Sequence, residues 1–557
     1  MESSERAGAG GGPLPLLPLI NGEPGTGAGP LIADVNPSTG EPFARVACAD
    51  PAEVEQAVDA ATFAAKLWRG APFDERARRL TRLAERLREE AESIAGLIAL
   101  EQGKPYAEAL ALEILPALDH LRFLSRHARE LTQGEAIEPR HPLWAHKRAL
   151  YLYDPMGVVL LVTSSSLPFA QPLIQTASAL AMGNAVILKP SSRTPLTALR
   201  VGELCVQAGF PAGLVNVVPA PPDETLRLVS HDKIDKVFVT GTVQAGQAMM
   251  AIAAAAPRPV VLSLGGKHPS IVAADADVAR AAKGIVWGAC ANAGQNFGAI
   301  ERVYVEERVA ARFVEALLAE VDKLRVGDPL EAGVDVGPLI SEERRQTVHE
   351  QVSEAVLFGA RLLRGGTLPD GPGYFYPPTV LLDPPEGCRL LQEETLGPVI
   401  PIMTVENVER AIEKANDSPF ALTASGWTVS DETGERLMIG LQAGVVTIND
   451  VLYAYGEPAA TWSGFKQSGL GASHGLASLK EMSRRRFVSF DGTSLEASAF
   501  AFPYGDEANA IAESTLKALH GPGWFSRTYA LGKLMRRKRF RARVPWGSFL
   551  FARKRVG

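Results

Sequence analysis

The chain has 557 residues, more than a single hydrophobic core serves, and the usual size of a folding unit argues for several. Lys and Arg number 57 against 63 Asp and Glu, a net charge of −6, so nothing in the global balance points to nucleic acid. Cys48, Cys205, Cys290 and Cys388 are scattered, which excludes a CxxC pair or a clustered metal-ligand motif and suits a reducing compartment.

Residues 1–30 are rich in Gly, Pro and Ala, lack periodicity, and are expected to form a disordered lead segment. Within it the apolar run 13–20 is short, carries three prolines and has no basic segment immediately before it, so it is expected to make a poor signal sequence and not to span a bilayer. Structure is expected to begin near Asp34, with a turn-rich cluster at 35–41 between two strand-like pieces. From 50 to 100 apolar residues recur at helical spacing, Val54, Ala57, Val58 and Ala61 on one face and Leu80, Leu83, Leu87 and Ile94 on another.

Residues 148–153 alternate in strand fashion and stop at Asp154-Pro155-Met156-Gly157, where proline removes a backbone donor and glycine loosens the chain. The apolar run 158–162 suits the first buried strand of a parallel sheet. Runs at 185–188, 215–218, 237–239 and 260–264 follow, most of them separated by helix-length segments. This alternation predicts an α/β fold with a doubly wound sheet and ligand sites at the strand ends. A helix is predicted from Asp277 towards Ala293, with Val278, Ala281, Ala282, Ile285 and Val286 inward.

Several motifs then occur in a telling order. They are Thr163-Ser164-Ser165-Ser166-Leu167-Pro168-Phe169, Leu188-Lys189-Pro190-Ser191-Ser192-Arg193, Val239-Thr240-Gly241-Thr242, Ser263-Leu264-Gly265-Gly266-Lys267, Gly294-Gln295-Asn296-Phe297 and Glu393-Glu394-Thr395-Leu396-Gly397-Pro398. Over about residues 31–491 the chain resembles the aldehyde dehydrogenase superfamily. The resemblance implies a Rossmann-type NAD(P)-binding domain (31–140 and 156–264), an α/β catalytic-type domain (265–477) and a β bridging arm (141–155 and 478–491). Through such an arm family members associate, so a homodimer or dimer of dimers is expected.

Under this resemblance Phe297 stands where the family carries its catalytic cysteine, Ser263 where a glutamate activates water, and Ser166 where an asparagine faces the oxyanion. The family reaction needs a thiolate adduct, hydride transfer and thioester hydrolysis, and phenylalanine performs none of these. A serine hydroxyl is no general base at pH 7, and it is a poorer preorganised donor than an amide. Two substitutes come to attention: His268, close in sequence to Ser263, and Cys290, which reads more simply as a small core residue.

The expected cofactor contacts are Lys189, Ser192, Arg193, Gly241, Thr242, Gly246, Leu264, Gly265, Glu394 and Leu396, with no metal ligands. In the family, Lys189 and the position of Ser192, a glutamate there, meet the adenosine ribose. A carboxylate about 4 Å from a 2′-phosphate costs on the order of 4 kcal/mol at an effective dielectric near 20. Ser192 removes that cost and Arg193 adds a cation, so NADP is expected to be tolerated or preferred over NAD; the plainer reading is a solvated loop. Gly241 and Gly246 lie where a loop enters a helix, whose N-terminus favours a diphosphate. Glu394 keeps the carboxylate that holds the nicotinamide ribose, whereas Leu396 replaces a phenylalanine and Ala472 a late arginine.

Residues 492–557 continue past the resemblance. No acidic residue follows Glu513, while Arg527, Lys533, Arg536, Arg537, Lys538, Arg539, Arg541, Arg543, Arg553, Lys554 and Arg555 interleave with Trp524, Phe525, Tyr529, Leu534, Phe540, Trp546, Phe549 and Phe551. This mixture suits an anionic membrane or an acidic partner, beside the plainer reading of a tail packed on the subunit or solvated. The sequence thus describes an aldehyde dehydrogenase-like protein expected to bind NAD or NADP and to be catalytically impaired or inactive. Two alternatives stand beside it: an active oxidoreductase using a non-thioester route, and a scaffold acting through its tail. The expected location is cytoplasmic, with peripheral membrane association through the tail, and no nucleic-acid partner is expected.

Overall fold

The apolar runs become the parallel centre of one sheet, built from Val158–Val162, Ala185–Lys189, Val215–Val217, Lys236–Gly241 and Val260–Leu264. Counted from Val158–Val162, their spatial order is 3-2-1-4-5, every neighbouring pair parallel. The first four strands are buried along nearly their whole length, which is why their centres read as largely apolar runs rather than alternations. The order reverses between Val158–Val162 and Lys236–Gly241, and beyond the carboxyl ends of such a pair lies the crevice where doubly wound sheets take ligands.

A computed structural model describes residues 15–493 and 498–544; the lead residues 1–14 and the tail residues Trp546, Phe549, Phe551, Arg553, Lys554 and Arg555 lie outside them. The larger of two compact units comprises the described residues up to 129 together with 155–484. It holds the first sheet and a second of seven strands. There His268–Val272, Ile300–Glu306, Thr379–Leu382, Val399–Val405, Thr423–Trp427 and Val445–Ile448 run parallel, and Arg361–Arg364 closes one edge antiparallel. The helix Val278–Cys290 packs on this sheet and is N-capped by Asp277, whose carboxylate accepts from the Arg280 amide.

Three expectations are corrected. Residues 15–30 are ordered: Leu19–Ile20 adds antiparallel to Val215–Val217, and the Thr26 and Gly27 amides donate to the Glu53 carboxylate at 2.5 and 3.1 Å. Composition misses this because the order comes from partners far along the chain. Structure accordingly begins well before Asp34, and Leu31–Asn36 pairs with Glu41–Ala47 around the anticipated turn. The helix expected to reach Ala293 stops at Cys290, since Asn292, Ala293 and Gly294 take left-handed φ of 55°, 51° and 74°.

The smaller unit comprises residues 130–154 and the described residues from 485 onward. Its sheet, Ser483–Phe490, Arg148–Pro155 and Glu135–Ile137, starts ahead of residue 141, so the bridging-arm strands extend beyond the expected bounds. The tail folds into helices Asp506–His520, Gly523–Arg536 and Lys538–Ala542. Ile511, Leu534, Phe540 and Val544 share a core with Leu143, so this stretch is packed rather than solvated.

Candidate functional site

Left-handed backbone at Asn292, Ala293 and Gly294 costs about 1–2 kcal/mol per non-glycine residue, and the surroundings hold it in place. The Asn292 amide donates to Glu108 at 2.7 Å, and its Nδ2 donates to the Ser166 and Gln295 carbonyls at 3.2 and 3.3 Å. Gln295 Nε2 returns a bond to the Asn292 carbonyl, and its Oε1 accepts from the Ile340 amide at 2.8 Å. A Cβ on Gly294 would lie 2.2 Å from the Gly397 carbonyl oxygen, so only glycine lets the loop press on residues 393–398.

This loop presents Phe297 to an apolar cluster of Leu167, Ala170, Ile174, Leu422, Tyr455 and Trp462. The Phe297 ring meets Tyr455 edge-on at 5.3 Å and Trp462 at 5.2 Å, and those two lie 5.6 Å apart. Edge-to-face pairs add about 0.5–1.5 kcal/mol each beyond area burial. A cavity of about 140 Å³ lies against the triad, lined also by Leu112, Pro116 and Leu167. Its lining is mostly apolar and contains no cysteine or serine, with Asn296, Tyr453 and Tyr455 as its polar side chains.

The loop carrying Ser166 is held by a buried ion pair, Lys104 with Glu113. Glu113 also accepts from the Phe169 and Ala170 amides at 3.1 and 2.7 Å, while Lys104 Nζ donates to the Ser166 carbonyl at 3.3 Å. Glu113 belongs to a π-helical turn, Leu110–Ile114, an irregularity that favours functional places. Ser263 lies in the last parallel strand of the first sheet, facing Thr240 on one side and Gly469 on the other.

Neither His268 nor Cys290 is suited to act as base or nucleophile at pH 7. His268 is buried in the second sheet, and burial pushes its imidazole down to about 4, leaving it neutral and weakly basic. Cys290 is buried too; burial, aided by nearby Glu108, pushes its thiol up to about 12, so thiolate is scarce at pH 7.

The other expected contacts converge unevenly. Lys189 ends its strand at the sheet's carboxyl edge, and burial holds its ammonium below the usual lysine range. Gly241 ends the next strand past the switch point, and Thr242 caps the helix Val243–Ala253, its hydroxyl accepting from the Ala245 amide at 3.3 Å. Gly246 packs on Leu264: an added Cβ would stand 2.6 Å from that side chain. Gly265 lies under Glu394, where a Cβ would come within 2.3 Å of the carboxylate, and the Gly266 amide donates to the same carboxylate at 3.3 Å. Burial first and Glu301 second push Glu394 up to about 7. Ser192 and Arg193 are exposed, and Arg193 already pairs with Glu343 at 3.3 Å, a surface contact worth about 0–1 kcal/mol.

Leu396 adopts a left-handed φ of 50° and is held by Glu301, which accepts from the Thr395 and Leu396 amides at 2.9 and 3.0 Å. Buried Lys267 bridges Glu301 at 2.6 Å and the Thr395 hydroxyl at 2.7 Å. The sequence pattern assigns no role to Glu301, nor to Lys104, Glu113, Tyr455 or Trp462. The only sequence signal for Glu113 is a carboxylate in a largely apolar helix; the aromatic pair gave none, lying more than 150 residues from Phe297.

A sheet switch point with a lysine at one strand end, a capped helix N-terminus at another and a carboxylate over Gly265 suits a nicotinamide dinucleotide. Among the described residues no group of three or more His, Cys, Asp or Glu is placed to hold a metal.

The aldehyde dehydrogenase family profile matches residues 26–488. The chain is 34% identical over 452 residues to aminoaldehyde dehydrogenase 1, peroxisomal, of Pisum sativum, covering 80% of this chain and 89% of that one. It is 35% identical over 455 residues to the succinate-semialdehyde dehydrogenase [NADP(+)] GabD of Escherichia coli, covering 81% and 93%. Lactaldehyde dehydrogenase from Escherichia coli superposes with a TM-score of 0.82 at 32% identity, over 86% of this chain and all of that one. With the fold, the switch-point geometry and these likenesses in agreement, the chain belongs to the aldehyde dehydrogenase family.

Proposed function

We propose that this family member binds NAD or NADP and does not carry out thioester-based aldehyde oxidation. The observation that carries the reading is the packing of Phe297 against Tyr455 and Trp462, at the position the family gives to its nucleophile. A ring there can form no covalent adduct, and it occupies space an aldehyde carbon would need. Ser263 and Ser166 compound the loss, and neither Cys290 nor His268 replaces it. Removing the nucleophile of a well-studied hydrolase costs about a million-fold in turnover.

The cofactor half supports retained binding. Lys189 would meet the adenosine ribose, the Thr242 helix end the diphosphate, and Glu394 the nicotinamide ribose; bound nicotinamide would supply a hydride acceptor. Ser192 supports acceptance of NADP, the cofactor named for the GabD relative. Surface pairing of Arg193 with Glu343 is weak enough to yield to a phosphate. The protein would then act by association or by sensing dinucleotide, as a cytoplasmic homodimer joined through the Arg148–Pro155 and Ser483–Phe490 strands.

The test is paired titration with NADP and NAD, alongside NAD(P)H production over a broad aldehyde panel. A Phe297→Cys/Ser263→Glu/Ser166→Asn variant runs in parallel. Binding without turnover in the native chain, with turnover gained by the triple variant, is the expected result. Steady turnover by the native chain would overturn the proposal and favour a non-thioester route.

A further inference from the structure

The helical hairpin of Asp506–His520 and Gly523–Arg536 keeps Ile511 and Leu534 inward yet turns its aromatic residues out. Trp524 is 68% exposed, Phe525 82% and Tyr529 68%. One exposed aromatic is ordinary; three within six residues, beside Leu516 on the preceding helix, make an apolar patch that the hairpin's own core does not require. Trp524 and Phe525 touch edge-on at 5.1 Å, just after the turn. Phe525, Tyr529, Lys533 and Arg536 are spaced four, four and three residues apart and so share one helix face, aromatic near the turn and basic further on. The Lys533 ammonium lies 4.8 Å over the Tyr529 ring.

From residue 514 to the end the chain carries 12 Lys and Arg and no Asp or Glu, against a net charge of −6 for the whole. We propose that this hairpin docks the protein on an anionic lipid surface, with Trp524 and Phe525 entering the headgroup layer and Lys533, Arg536 and Lys538 facing the lipid phosphates. Charge complementarity selects the occupant. A second copy would set one cationic face against another. Amphipathic aromatic rings settle at membrane interfaces, and basic residues beside them draw the element to anionic headgroups. Among the described residues no helix is long and apolar enough to cross a membrane, so the attachment is peripheral.

The experiment is flotation of the full chain with phosphatidylcholine vesicles, plain or carrying about one-third phosphatidylserine, at low and high salt. Trp524→Ser/Phe525→Ser and Lys533→Glu/Arg536→Glu/Lys538→Glu variants are compared, with thermal unfolding as the folding control. Expected are salt-sensitive binding to the anionic vesicles only, and partitioning weakened at least about tenfold by the aromatic variant and about a hundredfold or more by the charge variant, at unchanged stability. Three results would overturn the proposal: no binding to anionic vesicles at low salt, full binding by the aromatic variant, or a fall in oligomer size caused by that variant, which would make the patch a protein interface.

Discussion

The Phe297 ring stands edge-on to the Trp462 ring, centroids 5.2 Å apart and planes at 80°. With Tyr455 it closes a triangle of rings and packs against a local core. Phe297→Ala removes two ring contacts and leaves a cavity. The expected loss is about 2–3 kcal/mol, read from the urea midpoint at unchanged slope. A change within about 0.5 kcal/mol, the ordinary range for a surface site, would show that the ring is not part of the packing.

Thiol chemistry offers a separate reading of the same place. All four cysteines are buried, and Cys290 is held up at about 12. Native protein treated with iodoacetamide at neutral pH should acquire no label, whereas Phe297→Cys should acquire one, mapped to residue 297 by mass spectrometry. Rapid labelling of Cys290 in the folded native chain would contradict its placement.

Glu301 carries the loop that includes Glu394. Its carboxylate takes the Lys267 ammonium and two backbone amides, so Glu301→Gln leaves a buried lysine without its counter-charge. Breaking one half of a buried pair costs about 3–5 kcal/mol. NAD affinity should fall together with stability, whereas Lys267→Met/Glu301→Leu should recover part of the stability and none of the affinity.

If Glu394 holds the nicotinamide ribose as proposed, binding should depend on pH. Its carboxyl is raised from 4.5 to about 7, so the folded chain holds a proton that the unfolded chain has released. The stability from that proton is complete below the unfolded pKa and is lost as pH rises through about 7. In the proposed mode the ribose hydroxyls would use the carboxylate as acceptor, so NAD affinity should increase between about pH 6 and 8. Calorimetric titration across that interval should show the trend in the native chain and a flat profile in Glu394→Gln.

Gly265→Ala tests the close approach above the same residue. The new Cβ would stand 2.3 Å from the Glu394 carboxylate and displace it. We expect roughly tenfold weaker NAD binding with about 1–3 kcal/mol lost in unfolding experiments; Gly241→Ala, whose Cβ would meet nothing within 4 Å, is the control.

Much of the first sheet could be read directly, because a strand stretch buried on both faces is apolar throughout, as Val158–Val162 is and as Ala185–Lys189 is up to its terminal lysine. Segments ordered from afar were illegible. Leu19–Ile20 is held by Val217 and by the Asn216 side chain near residue 21, nearly 200 residues on. The end of Val278–Cys290 was misplaced because helical periodicity continued while the Asn292 and Ala293 backbone turned left-handed, a conformation imposed by Glu108 and Ser166.

The sequence by itself determined the alternation that makes a doubly wound sheet, the identities of Phe297, Ser263 and Ser166, and the one-signed charge of the tail. Those are properties of residue type and local spacing, and they need no partner to be read. Only the tertiary structure decided that Phe297 packs against Tyr455 and Trp462, that Cys290 is locked as a thiol, that Glu394 titrates near neutrality, and that the tail hides Leu534 while exposing Trp524 and Phe525. Each of these depends on burial and on neighbours distant in the chain, and both are set by how the chain closes upon itself.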